Sequence, residues 1–191
     1  MKTIIIFLLL IISSHINSQP TWNYQNSGTA NDLNKIIIQY NAGGNLLYVV
    51  GDNGTILRSS NNGLIWENVN SNTNADLNGI YFYAETGYAV GSNGTILKTS
   101  DGGNSWNNMV SNTTNNLKDI IGTYAVGENG TLLKLLNGIW TVSQIDTTNL
   151  NSIFVGSPTQ IFVVGNYGLI LRSTNNGLNW TRLNSNTNNN L

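Results

Sequence analysis

The side chains that could do chemistry in this chain are few, and most of them recur at a fixed interval. There is no cysteine and only one histidine, His15. His15 falls within an N-terminal stretch that reads as a cleaved signal. The mature chain then has no imidazole to serve as base or metal ligand, which removes most Ser-His hydrolase mechanisms. Without cysteine there is no thiolate nucleophile, no thiolate metal site and no disulfide. Asp52 and Glu128 occupy equivalent loops, and two carboxylates held roughly 5–10 Å apart could hydrolyse a glycosidic bond. They lie in different repeats, which argues against that spacing. An arginine triad could grip a sugar carboxylate, but only Arg58, Arg172 and Arg182 exist, and two of these share a repeated position. No catalytic residue, cofactor or metal site is therefore assigned.

Binding candidates are more numerous. Arg58, Lys98, Lys134 and Arg172 stand at one position of each repeat. Symmetry would set them in a partial ring able to hold an acidic segment. The plainer reading lays their stems along apolar surface with the charge at the rim, and it is the one favoured. Lys35, Gly79, Asp119 and Ser152 share a second position, beside the channel that inner strands would line. Ligand contact and simple solvation stay equally open for these.

The elements that must carry these residues come from a phrase repeated four times. It reads Val50-Gly51-Asp52-Asn53-Gly54-Thr55-Ile56-Leu57-Arg58 and returns from Val90, Val126 and Val164, its first glycines 40, 36 and 38 residues apart. A period near 40 built from short β segments is the mark of a propeller blade. Inner strands begin at Leu33, Leu77, Leu117 and Leu150. Second strands run into the Val-Gly pairs. Third strands cover 55–59, 95–99, 131–135 and 169–173, and fourth strands start at Trp66, Trp106, Trp140 and Trp180. Asn-Gly between apolar runs is a strong hairpin signal. Runs such as Ile36-Ile37-Ile38 predict burial on both faces, as between neighbouring blades. The fold class is all-β, a propeller of four-stranded blades at about 33–70, 77–110, 117–143 and 150–184. Residues 1–18 form the signal, with cleavage after Ser18, and 19–191 the repeats.

Trp22-Asn23-Tyr24 resembles a closing fourth strand without its three partners, and Leu191 falls where a fifth inner strand would start. The expectation is a fragment of a larger propeller of seven-bladed type, with a complete four-blade ring as the alternative. Charged residues make up 9% of the chain. Without Lys2, seven basic face nine acidic side chains, a net −2. That balance offers no basic patch to nucleic acid and no polybasic run to a membrane, and no segment after the signal could span one. Self-association through open blade edges is left open.

A second phrase joins the third and fourth strands. It appears with Ser59, Asn61, Gly63 and Trp66, with Thr99, Asp101, Gly103 and Trp106, and with Ser173, Asn175, Gly177 and Trp180. The pattern [Ser/Thr]-x-[Asp/Asn]-x-Gly-x-x-Trp resembles the Asp-box, or bacterial neuraminidase repeat. A short Asx side chain accepts turn N–H bonds, Gly takes positive φ and Trp buries apolar area, so the role expected is structural. The third repeat, Leu135-Leu136-Asn137-Gly138-Ile139-Trp140, lacks the Ser/Thr and is one residue shorter, so its turn should be tighter.

Together the two phrases resemble the photosystem II assembly and stability factor family over about residues 21–191. The resemblance implies a non-enzymatic, exported propeller that binds other proteins, in photosynthetic members a photosystem II reaction-centre precursor. Those members carry an arginine-rich patch. With three arginines, this chain better fits a secreted bacterial relative with another, unidentified protein partner. The competing expectation is a carbohydrate-active enzyme of the sialidase or xyloglucanase kind, or its sugar-binding remnant.

Overall fold

The computed structural model describes residues 24–40 and 44–191. The expected signal and its cleavage site lie outside the described residues. So do Trp22 and Asn23. Tyr24, the remaining residue of the expected closing strand, is exposed and outside any strand.

Among the described residues sixteen strands form four antiparallel sheets, each a meander of four consecutive strands. Blade 1 contains β1 (Leu33–Gln39), β2 (Leu46–Gly51), β3 (Ile56–Ser59) and β4 (Glu67–Asn68). Blade 2 contains β5 (Leu77–Tyr83), β6 (Thr86–Gly91), β7 (Ile96–Thr99) and β8 (Asn107–Met109). Blade 3 contains β9 (Leu117–Ile121), β10 (Tyr124–Gly127), β11 (Thr131–Leu136) and β12 (Ile139–Gln144). Blade 4 contains β13 (Leu150–Val155), β14 (Ile161–Gly165), β15 (Ile170–Ser173) and β16 (Thr181–Leu183). The inner strands begin at the four predicted leucines. The tryptophans of blades 1, 2 and 4 sit one residue before the outer strand rather than inside it. They are corner residues, and the outer strand pairs only after the corner has closed.

Among the described residues the core is three seams, each shared by two neighbouring blades. Tyr48, Val50 and Ile56 of blade 1 pack with Leu77, Ile80, Leu97 and Trp106 of blade 2. Tyr88, Val90 and Ile96 meet Leu117, Ile120, Leu133 and Trp140. Tyr124, Val126 and Leu132 meet Leu150, Ile153, Ile161 and Leu171. Apolar burial is thus almost wholly between repeats, as expected of units that cannot hide their own faces. Among the described residues blades 1 and 4 share no such cluster. Ile36 and Ile38, expected to be buried on both faces, are 57% and 46% exposed, because no blade among the described residues precedes blade 1.

The repeated glycines have two different causes. Asn93 and Gly94 adopt φ of 55° and 68°, the left-handed pair that turns the chain between β6 and β7. Gly91 is extended. There a β-carbon would be driven into the Asp76 carbonyl of the segment crossing from blade 1.

Candidate functional site

The residue after each inner-strand leucine is bulged, as the register slips at that point in all four blades. The bulge frees Asn34 to donate to the Leu77 carbonyl at 3.0 Å and Asn78 to the Leu117 carbonyl at 2.7 Å. Asn151 donates likewise to Leu191 at 2.8 Å. Blades 1 and 2 are thereby clasped to the start of the next blade, and blade 4 to the last residue of the chain. Blade 3 has Lys118 at this position, which pairs instead with Glu128 at 3.5 Å.

One residue further along the inner strands lies a polar cluster that joins three blades. Lys35 Nζ is 3.3 Å from Asp119 Oδ1, joining blade 1 to blade 3 across blade 2. Blade 2 contributes Gly79 there. A β-carbon at Gly79 would lie 3.1 Å from both Asp119 Cα and Val90 Cγ2, so the space is already tight for the smallest residue. Asp119, 6% exposed, also accepts from Ser152 Oγ at 2.6 Å and the Ile153 N–H at 3.1 Å. Three of the four residues placed at this position by their repeat register are therefore bonded together, and the fourth makes room. Both carboxylate oxygens of Asp119 are engaged, so it is a structural anchor with no free base. Of the bonded trio, Lys35 alone stays well exposed, at 42% of its side chain.

Removing Asp119 strands a hydroxyl and a buried N–H, so Asp119→Ala is expected to cost about 2–3 kcal/mol. Lys35→Met should cost less than about 1 kcal/mol, since its exposed ammonium is solvent-screened. Urea titration of the single and double variants checks this, with an expected coupling of about 0.5–1 kcal/mol.

The cation ring divides into latches and unengaged positions. Arg58 Nη1 donates to Asn104 Oδ1 in the blade 2 corner at 2.6 Å, and Nη2 to Glu67 at 3.1 Å. Beside it the buried Tyr48 hydroxyl donates to the Gly102 carbonyl of the same corner, and burial pushes its pKa up from 10.0. Lys134 repeats this on blade 4. It donates to the Asn176 carbonyl at 2.8 Å, as does Tyr124 Oη at 3.1 Å, and it stands 5.3 Å from the Tyr124 ring centroid. Each aromatic–cation pair grips the Asx-Gly corner of the following blade. Lys98 faces blade 3, which lacks that corner, and Arg172 lies exposed on blade 4. Among the described residues these two make no such bond. The position works as an interblade latch where a corner is present to receive it.

The two carboxylates weighed for catalysis are also engaged. Asp52 accepts from Asn34 Nδ2 at 2.9 Å and Glu128 meets Lys118. Blade 2 stands between them. Among the described residues no group of three or more His, Cys, Asp or Glu side chains could hold a metal.

The three corners share one bonding plan. Ser59 Oγ donates to Asn61 Oδ1 at 2.9 Å and accepts from the Gly63 N–H at 3.0 Å, while Asn61 Oδ1 accepts the Ile65 N–H. Thr99, Asp101, Gly103 and Ser105 repeat it, as do Ser173, Asn175, Gly177 and Asn179. Trp106 is wholly buried, and Trp66 and Trp180 are half-buried. Asp101 gains a further bond from Ser105 Oγ at 2.6 Å. That side-chain bond, with the Ser105 N–H and Thr99, lowers its pKa from 3.8 to about 2. The folded pKa lies below the unfolded one. The carboxylate's contribution to stability is therefore present above about pH 4 and is lost as pH falls through about 2. Asn61 and Asn175 fill the same role uncharged. Asp101→Asn should thus fold, and its melting temperature should fall less between pH 5 and pH 2 than the parent's, as read by thermal melts.

A third repeated phrase escaped the reading of the sequence. Ser71-x-Thr73-x-x-Asp76-Leu77 recurs from Ser27, Ser111 and Ser185. In each copy the serine hydroxyl donates to the carbonyl of the Thr two residues on. In the copies from Ser71, Ser111 and Ser185, the Asx before the leucine accepts a backbone N–H from the preceding blade's glycine turn. The spacing was visible in the sequence, but these residues lie between blades, outside the strands that set the period.

The family model described as photosynthesis system II assembly factor YCF48 matches residues 12–117, just over half of the chain. The chain belongs to this YCF48 family. YCF48 from Cyanidioschyzon merolae superposes with a TM-score of 0.64 at 16% identity, over 80% of this chain and 56% of that one. An ancestral GH74 enzyme superposes with a TM-score of 0.68 at 20% identity, over 87% of this chain and 26% of that one. GH74 from Niastella koreensis gives 0.55 at 20% identity, over 72% and 27%. At these identities the likeness is one of fold. The chain spans about a quarter of the GH74 enzymes and just over half of the Cyanidioschyzon merolae YCF48. A search of curated proteins found no match.

Proposed function

We propose that this chain is an exported, non-catalytic propeller scaffold that binds another protein. The observation that carries the reading is membership of the YCF48 family across residues 12–117. The polar clusters agree with it. Asp52, Asp119 and Glu128 each hold structural partners, and Asp52 and Glu128 sit in separate blades. On this reading the corners are Asp-boxes that fix the fold, and the ligand meets the channel rim, where Lys35 exposes its charge. Export rests on Lys2, the apolar run Ile4–Ile12 and the small polar residues to Ser18. With so few arginines the partner is a protein other than a photosystem II precursor, and neither nucleic acid nor a membrane surface.

The fold shared with GH74 enzymes favours a second reading, a carbohydrate-active propeller or its sugar-binding remnant. A turnover assay on xyloglucan and on sialosides separates the two. The scaffold reading predicts no release of sugar above buffer. Hydrolysis that disappears in Asp52→Asn or Glu128→Gln would replace it with the enzyme.

A further inference from the structure

Blade 3 differs from the others in its outermost strand, and the difference starts in the sequence. Where its neighbours carry a Ser/Thr-Asx-Gly-Trp corner, blade 3 turns on Asn137-Gly138 alone. Both residues have positive φ, 50° and 81°, a tight hairpin turn whose twist matches the flanking strands. Pairing therefore runs unbroken from Leu136↔Ile139 to Thr131↔Gln144. β12 is six residues long, against two or three in β4, β8 and β16.

The direction of its free hydrogen-bonding groups follows from strand alternation. The Leu135 N–H goes to Thr123 on the β10 side, so Leu132, Lys134 and Leu136 turn their backbone toward β12. Ile139, Thr141 and Ser143 meet them. Trp140, Val142 and Gln144 must then point N–H and C=O away from the blade. Asn112 caps the Trp140 carbonyl at 3.0 Å. Among the described residues no hydrogen bond reaches the Val142 backbone on that side. Ile139 is 63% and Val142 42% exposed. The strand carries no charge, no proline and no bulge, the devices by which native edges avoid pairing.

We propose that β12 is a self-pairing edge through which two copies of this chain join antiparallel about a two-fold axis at Val142. The pattern is self-complementary. Val142 N–H and C=O bond those of the partner copy reciprocally, Trp140 stands opposite Gln144, and Thr141 opposite Ser143. Two neutral edges meet without like-charge opposition, and the blade 3 ladder continues into a sheet of eight strands across both molecules. This goes beyond the scaffold reading and needs no ligand.

Sedimentation of the purified chain up to about 100 μM, where a weak contact of this kind registers, tests the proposal. The parent is expected to dimerise reversibly. Val142→Pro deletes the outward N–H, which the inward ladder does not use, while fixing φ, and Val142→Lys places a charge on the edge. Each should weaken association at least about tenfold with an unchanged circular dichroism spectrum. If the proline variant does not fold, the lysine variant decides. A parent that stays monomeric, or a dimer equally tight in a folded Val142 variant, overturns the proposal.

Discussion

Trp106→Ala is expected to lower the unfolding free energy by about 3–5 kcal/mol, the range for emptying a large buried aromatic site. Trp106 has no exposed surface and fills the seam between blades 1 and 2, with the Phe82 ring edge-on at a centroid distance of 5.7 Å. Its loss opens a void bounded by two sheets that cannot both collapse into it, because each is held by a second seam or by the inner-strand clasps. Among the described residues the indole N–H has no hydrogen-bond partner. Trp106→Phe should therefore cost clearly less than Trp106→Ala, since it removes volume but also an unpaired buried donor. Trp66→Ala, at the half-buried corner of blade 1, should cost less again. Equilibrium urea denaturation of the three variants orders these effects. Equal costs for Trp106 and Trp66 would mean that the seam is not where the energy lies.

Gly91→Ala is expected to destabilise by about 3 kcal/mol or more, for a reason unrelated to backbone strain. Its φ of −168° suits any residue. The added methyl would instead meet the Asp76 carbonyl, whose backbone also accepts the Ser92 N–H at 2.8 Å. Relief would push the crossing segment off blade 2 and break that bond together with the Asn78 clasp just beyond it. The glycines at 51, 127 and 165 meet the equivalent carbonyls at Asp32, Asn116 and Asn149. A melting temperature unchanged in Gly91→Ala would show that the segment can shift freely, and the close approach would then have no energetic meaning.

The architecture was legible because it repeats. The Val-Gly and Asn-Gly phrases and the tryptophans recur with a period near 40 that, carried by short β segments, marks propeller blades, and the leucines that open each inner strand were placed correctly. Even the shortened third corner announced a tighter turn. What it did to β12 was not legible, since strand length depends on how far pairing can run once a corner stops interrupting it. Contacts between blades were the larger omission. Lys35 and Asp119 stand 84 residues apart, and repeat register alone put them at like positions without saying that Gly79 lets them touch. The cations at 58 and 134 read as a ring for a ligand or as a solvated rim. The corner amides and carbonyls that they grip belong to the next repeat, and a pattern counted within one repeat cannot reveal them. The Ile36-Ile37-Ile38 run misled in the opposite sense, because an apolar run shows what a strand could bury and not whether a neighbour covers it.

Unfolding in urea, followed on one sample by tryptophan fluorescence and far-ultraviolet circular dichroism, tests most directly whether the shared seams and clasps make one structural unit. Trp106 and Trp140 report on two seams and the sheet signal on all four blades. Coincident single transitions are expected, with one midpoint for both probes. Separate midpoints, with sheet signal lost while the seam tryptophans stay buried, would mean that the blades stand largely alone and would contradict the account.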